Sequence, residues 1–264
     1  MGGQSSTCSK NVARRVIWCD TEGGVRNVAL WDVTFIEETV HGISGYRLSN
    51  VQHATKRGKA ALKKELPTAV YEDAFKTGST AVSTFTAVPD SLDVLEADTH
   101  ATVDVPINKM VASYLASRAG SIMVAWNMNG HDKHVLRRAA GKAVVDKVTL
   151  WDALPWFRSK YTLPKNTMSS SKAGTPRALF SVPTFGAAHS SLSDTVHMRQ
   201  VVLRAAYCHE HDAEDTTCHS DASTSEQFAA VCGQIEESNI VKEWAMVPTT
   251  AWIPGLVPDS VFGT

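Results

Sequence analysis

Near the start of the chain, two carboxylates with one residue between them close an apolar run, Val16-Ile17-Trp18-Cys19-Asp20-Thr21-Glu22-Gly23-Gly24. The run reads as a strand. Strand side chains alternate faces with period two, so Asp20 and Glu22 project from the same side. Acids so placed repel, and each raises the other's pKa. A hard divalent cation, Mg²⁺ or Mn²⁺, removes that repulsion and prefers oxygen ligands. The alternative is a strand that frays into a polar turn with both acids solvated.

Two later segments supply partners. Gly120 to Leu136 reads as a buried strand, an Asn129-Gly130 turn and a helix with Asp132 near its start. His189-Ser190-Ser191-Leu192-Ser193-Asp194 leads into Val196, Met198, Val201, Val202 and Ala205. Their helical spacing puts Asp194 near the N-terminus of an amphipathic helix. His189 lies about one and a half turns earlier on the 3.6-residue repeat. In order, the chain offers Asp-x-Glu after a strand, an Asp on a helix, and His-x4-Asp.

This series resembles the DEDDh exonucleases, the proofreading-type and Trex-like 3′–5′ exonucleases. Asp20-Thr21-Glu22 matches the first family motif, and Ala125-Trp126-Asn127 with Asp132 and Leu136 matches the second. His189-x-Ser191-x-x-Asp194 matches the third, while Val148 to Leu154, with Asp152, echoes an element that often follows the second. The match spans roughly residues 14–206. There are departures: His131 stands where the family usually has Phe or Tyr, and residues 35–104 carry no alignable motif.

The resemblance implies an α/β fold, an RNase H-like mixed five-stranded sheet flanked by helices on both faces. It implies that Asp20, Glu22, Asp132 and Asp194 hold two divalent cations (Mg²⁺ or Mn²⁺). Asp20 would bridge them, Glu22 and Asp194 would complete one site, and Asp132 would serve the second. His189 is the implied general base, because a near-neutral imidazole can take a proton from water. Candidate substrate contacts are Thr21, Trp126 and Asn127 from the motifs, with Lys165 and Arg177 from the basic loop before the third motif. Trp126 reads equally well as core. The expected reaction releases nucleoside monophosphates from single-stranded or frayed DNA 3′ ends by a two-metal mechanism. The alternatives are an exoribonuclease of the same chemistry and a zinc-stapled RNase H-like binding module without activity.

The positioning elements follow from the pattern along the chain. Strands are expected at 14–20, 27–36 and 41–50, an antiparallel meander. A basic helix over 55–65 follows, and 66–104 reads as irregular. An amphipathic helix over 106–118, a strand at 121–126, a helix at 131–141, a strand at 146–151 and a helix at 194–206 complete the domain. Residues 1–11 read as a disordered segment, 12–207 as the exonuclease domain, and 208–264 as a His/Cys-rich loop and extension packed on the same domain. The 43% hydrophobic content and seven Trp are ample for a core, while 26 basic against 27 acidic residues give no overall pull toward nucleic acid. Binding a polyanion then falls to local clusters, of which Lys56 to Lys64 and Arg158 to Arg177 are two.

No apolar stretch is long enough to span a membrane, and no secretory segment is apparent, so the expected location is cytoplasmic or nuclear. Met1-Gly2-Gly3-Gln4-Ser5-Ser6 fits a loose myristoylation pattern. Cys208, His211, Cys218 and His219 offer a set of structural zinc ligands, with a solvated polar loop as the alternative. Disulfides are not expected, given the odd cysteine count. The Pro- and Trp-rich tail after 233 reads as a segment that wraps the domain or docks a protein partner.

Overall fold

The computed structural model describes residues 12–23, 29–40, 42–87, 99–161, 174–184, 186, 189–211, 218–240, 244 and 247–248. A short β1 (Val12–Ala13) precedes the acid-bearing strand β2 (Val16–Glu22), β3 (Asp32–Thr39) and β4 (Gly42–Ser49). Helices α1 (Lys56–Glu65) and α2 (Thr68–Thr77) lead to β5 (Thr80–Ala87) and β6 (Thr99–Val103). Then come α3 (Ile107–Ser117), β7 (Ile122–Ala125), α4 (Asp132–Ala140), α5 (Lys142–Val145), β8 (Thr149–Asp152) and α6 (Ala153–Lys160). The chain continues through α7 (Gly174–Leu179), α8 (Ser191–Glu210), a 3₁₀ turn at Cys218–Asp221, α9 (Thr224–Glu237) and β9 (Val247–Pro248).

The main sheet is seven-stranded, in the order β6-β5-β4-β3-β2-β7-β8. Pairing is antiparallel from β6 through β2 and parallel across β2, β7 and β8. This corrects the five-stranded expectation. The two further strands come from the stretch read as irregular, which forms α2, β5 and β6. Thr80 to Ala87 is rich in β-branched residues and carries Phe85, a composition that suits a pleated surface. It covers the edge that β4 would otherwise leave open.

β2 is buried on both faces, as a central strand with parallel and antiparallel neighbours must be. Its even-numbered residues Val16 and Trp18 join Ile36, Val124 and side chains of α6, α8 and α9 in one apolar layer. The odd-numbered Ile17 and Cys19 join Phe35, Met123 and side chains of α3 and α4 in the other. Phe35 stacks on Tyr114 with ring centroids 4.3 Å apart. Each large side chain fully buried in these layers contributes about 1.5–3 kcal/mol.

α8 departs from its expected amphipathic form. It begins at Ser191 and is buried around most of its circumference, His197, Arg199 and Gln200 included. α9 packs against it and encloses it. The start of α9 is fixed by a capping box, in which Ser223 accepts from the Glu226 amide and the Glu226 carboxylate accepts from the Ser223 amide. Further along, Arg14 lies over the Trp244 ring and pairs with Glu236 at 2.7 Å, and β9 pairs with β1. The chain therefore returns to the sheet near its start. Residues 1–11 and 249–264 lie outside the described residues, and with them Gly2 and most of the Pro/Trp-rich tail. Among the described residues, no helix is long and apolar enough to cross a membrane.

β3 carries buried acids with matched cations. Glu37 accepts from Arg15 (3.1 Å), Arg118 (2.8 Å) and the Tyr114 hydroxyl (2.9 Å). Glu38 accepts from Arg199 through two guanidinium nitrogens and from Trp18 Nε1 at 2.7 Å, joining α8 to the sheet. Removing one partner of such a pair strands the other charge in low dielectric. Arg199→Met is expected to destabilise the protein by about 3–5 kcal/mol in urea unfolding. Adding Glu38→Gln to it should recover part of the loss. A single variant within about 1 kcal/mol of wild type would show that this pair does not anchor α8.

Candidate metal centre

Strand parity divides the candidate site between the two helical layers. Asp20 and Glu22 continue the face of Val16 and Trp18, toward α8, whereas Thr21 continues the face of Ile17 and Cys19, toward α4. Asp194 lies in the first turn of α8 and Asp132 opens α4. One oxygen each of Asp20, Glu22 and Asp194 lies within 4.8 Å of the others, and all three residues are half-buried. Three hard oxygen donors at this spacing fit a divalent cation.

Asp132 stands beside this triad on the α4 side. Its Oδ1 accepts from the Thr21 amide (3.0 Å) and the Thr21 hydroxyl (2.8 Å). Thr21 is itself buried, so its hydroxyl orients Asp132 and does not face solvent. His189 sits just before the α8 N-cap Ser190, is exposed, and has φ of 63°. A non-glycine residue in the left-handed region is uncommon, and such backbone concentrates at functional sites. His189 and Glu22 line one pocket of about 240 Å³ with Gly23, Trp31, Thr55 and Arg57.

Crowding and burial keep the acids protonated more readily than usual. Burial first, then the charges of Asp132, Asp194, Glu22 and Asp32, holds the Asp20 carboxyl well above the usual carboxylate range. Burial, Asp194, Asp32 and Asp132 push Glu22 up to about 8, with Arg47 pulling the other way. Burial raises Asp194 to about 6, opposed by His189 and Arg177. Burial also raises Asp132, while the Thr21 hydrogen bonds lower it.

A buried network behind the triad escapes the motif reading. Arg47 on β4 donates from Nε to Asp32 Oδ1 (3.0 Å) and from Nη2 to Asp32 Oδ2 (2.9 Å), a bidentate pair. Its Nη1 reaches Glu65 of α1 at 2.7 Å. Asp32 also accepts from the Ser49 hydroxyl (2.6 Å) and the Ser191 amide (3.0 Å), and Ser190 donates to Glu65 at 2.6 Å. Ser191 Oγ meets Thr34 Oγ1 at 2.8 Å. These bonds fix the first turn of α8, and with it Asp194, against β3 and α1. The available sequence signal was an Asp and an Arg inside apolar strands, since unpaired charges are almost never buried.

The remaining expected residues are dispersed. Trp126 is buried against Phe157 at 5.4 Å between ring centroids, with no hydrogen-bond partner for its Nε1 among the described residues. It is a core residue. Asn127 closes the turn into α4, its backbone carbonyl accepting from Gly130 (3.0 Å) and His131 (2.9 Å). A Cβ at position 130 would lie 2.5 Å from Asn127 Oδ1, so the Asn127 side chain packs directly on Gly130. Asp152 accepts from the Asn129 amide (2.8 Å) and caps α6, tying that turn to β8. Arg177 on α7 is near enough to lower Asp194, and Lys165 lies outside the described residues.

The zinc expectation meets a different arrangement, and so does the expectation of reduced cysteines. Cys208 and Cys218 form a disulfide that joins the end of α8 to the 3₁₀ turn, with Cα atoms 5.8 Å apart. Bonded sulfurs are not thiolate ligands. His211 stacks on Tyr207 with its Nδ1 2.9 Å from the Tyr207 carbonyl oxygen, and the side chain of His219 lies outside the described atoms. Cys19 and Cys232 are free and buried.

The raised carboxyls make stability depend on pH and on metal together. A carboxyl raised on folding contributes stability that is full below its unfolded value, roughly 4, and is lost as pH rises through its folded value. For Asp194 and Glu22 those folded values are about 6 and about 8. Metal-free protein is therefore expected to melt lower at about pH 8.5 than at about pH 5. Mn²⁺ should raise Tm more at the higher pH, by about 2–4 °C for each kcal/mol of binding linkage. Equal Mn²⁺ shifts at both pH values, measured by calorimetry, would remove the triad as the binding site.

Comparison with protein-family models, with curated proteins and with solved structures gives no match to this chain. The geometry of the triad and the order of the motifs therefore carry the functional assignment.

Proposed function

We propose that this chain is a divalent-metal-dependent 3′–5′ exonuclease of RNase H-like type that releases nucleoside monophosphates from polynucleotide ends. The observation that carries the reading is the convergence of Asp20, Glu22 and Asp194 within 4.8 Å, from a central strand and a distant helix. The five adjacent strands β4-β3-β2-β7-β8 support an RNase H-like core, which β5 and β6 extend.

Each residue of the site has a task in phosphodiester hydrolysis. Asp20, Glu22 and Asp194 would hold the cation, with Asp132 beside them for a second. Bound there, divalent metal would neutralise phosphoryl charge and make water a better nucleophile. His189 takes the proton from the attacking water, from an exposed ring that shares a pocket with Glu22. It stands on left-handed backbone in the loop before α8. Thr21 keeps Asp132 oriented, and the Asp32–Arg47–Glu65 network keeps Asp194 in place against the repulsion of its neighbours.

A time course on 5′-labelled single-stranded DNA and RNA with Mg²⁺, Mn²⁺ or EDTA tests the reading. The expected result is a metal-dependent ladder that shortens from the 3′ end, and the faster polymer identifies the preferred sugar. Asp20→Asn and Asp194→Asn should each lower the rate by about 10³-fold or more, a loss of several kcal/mol. His189→Ala should lower kcat by about 10²–10⁴-fold while keeping the Mn²⁺-induced Tm shift. Full activity in either Asp variant would sink the assignment. An unchanged kcat in His189→Ala would remove that residue from the mechanism.

A further inference from the structure

The triad and its neighbours present a concentration of negative charge, and a polyanionic substrate needs cations close by to approach it. We infer that the outer surface of α1 and α2 is the binding track for a single-stranded polynucleotide, with phosphates on the α1 cations and a base stacked on Phe75. This deepens the exonuclease reading and rests on it for the direction in which the strand runs.

α1 is placed to serve the site at both of its ends. At the N-terminal end, Thr55 and Arg57 line the pocket that also contains Glu22, Gly23 and His189. At the C-terminal end, Glu65 reaches Arg47 and Ser190 at the start of α8. The inner face rests on the Trp31 indole so closely that a Cβ at Gly58 would lie 2.4 Å from a ring carbon. Ala61 and Leu62 complete that buried face. A helix of this length, about 15 Å, runs past several successive phosphates of one strand.

The outer face is basic. Lys56, Arg57, Lys63 and Lys64 are exposed and Lys59 is half-buried, whereas the one acid of the helix, Glu65, turns inward. Lys59 and Lys63 are one turn apart on the same side, as are Lys56 and Lys59. Like charges at this spacing weaken a helix, and cations in the first turn oppose its macrodipole. α1 has no acid in that first turn to compensate. Lys63 and Lys64, in the last turn, complement the dipole, so the conflict lies at Lys56 and Arg57, where an anionic ligand would relieve it.

Phe75 is an independent observation pointing to the same ligand. It is 49% exposed, a large aromatic ring left in water on α2. The Tyr71 ring lies parallel to it with centroids 6.3 Å apart, and Lys59 Nζ lies 5.4 Å from the Phe75 centroid. Aromatic rings interleaved with cations are what sequence-tolerant single-strand binding requires, because every base has a stacking face. Of the two acids of α2, Asp73 is held by Thr102 Oγ1, and Glu72 is adjacent to Lys76 at helical spacing.

The experiment is fluorescence anisotropy of a labelled oligothymidylate with the full chain in EDTA, between about 50 and 200 mM salt. Wild type is expected to bind with log affinity falling linearly against log salt. Lys59→Ala/Lys63→Ala/Lys64→Ala should flatten the slope by about 2, near 0.7 for each phosphate no longer neutralised, and weaken binding about 10-fold or more. Phe75→Ala should weaken binding about 5-fold or more with little change in slope, and Phe75→Trp should restore it. Arg137→Ala/Lys142→Ala, which removes two cations paired with Asp146 on α4 and α5, serves as the control for charge lost away from α1. An unchanged slope and affinity in the α1 variant, or an equal loss in the control, overturns the track. If the α1 variant loses its slope but wild type cleaves nothing with Mn²⁺, the hydrolytic reading falls and the track stands. If cleavage is intact and the slope is unchanged, the track falls and the hydrolytic reading stands.

Discussion

Carboxylates held in a half-buried cluster repel one another, and the rest of this structure is arranged around that fact. Two unit charges 4.8 Å apart repel by about 3 kcal/mol at an effective dielectric near 20. That is a large share of the net stability of a typical domain. Asp20, Glu22 and Asp194 can stay together only if they protonate, bind a cation, or are held by something stronger. The raised Glu22 and Asp194 carboxyls represent the first option. The buried network around Arg47 represents the third, and a bound cation would supply the second.

The scaffold that bears this repulsion is β3. It pairs with the whole of β2, with Asp32 opposite Glu22 and Thr34 opposite Asp20. The same strand buries Asp32, Glu37 and Glu38, each matched to an arginine from a different element. Arg47 comes from β4, Arg118 from just beyond α3 and Arg199 from α8. Buried pairs of this kind add little net stability over apolar packing, but each one penalises any arrangement that separates its partners. Here they set where α8 lies on the sheet, and α8 carries Asp194.

α1 links this interior to the surface. Its inward Glu65 closes the Arg47 network, while Lys56, Arg57, Lys63 and Lys64 are exposed and Arg57 lines the His189 pocket. One helix thus balances charge on two sides, an anion supplied to a buried guanidinium and cations offered to whatever approaches the triad.

Several of these features were legible in the chain. Period-two alternation places Asp20 and Glu22 together, and the helical spacing after Asp194 marks α8. These are local, since each depends on neighbours only a few residues away. The extent of the sheet was less legible. β5 pairs with β4, and the five-residue β6 has a strand partner only once β5 is in place beside it. The exposure of α8 was misleading, because Arg199 and Gln200 look like a solvent face until Glu38 and α9 cover them.

The sequence by itself determined which residues have the chemistry for a metal centre and in what order they occur. Residue type and spacing along one strand or helix are intrinsic to the chain. Tertiary structure alone decided that Asp194 meets Asp20 and Glu22, that Thr21 serves Asp132, and that Trp126 is core. It also decided that Cys208 bonds Cys218 and that Arg57 at the start of α1 shares a pocket with Glu22 and His189. Those relations join residues far apart in sequence. They exist only because burial of the two apolar layers and pairing of the buried charges bring distant segments to fixed positions.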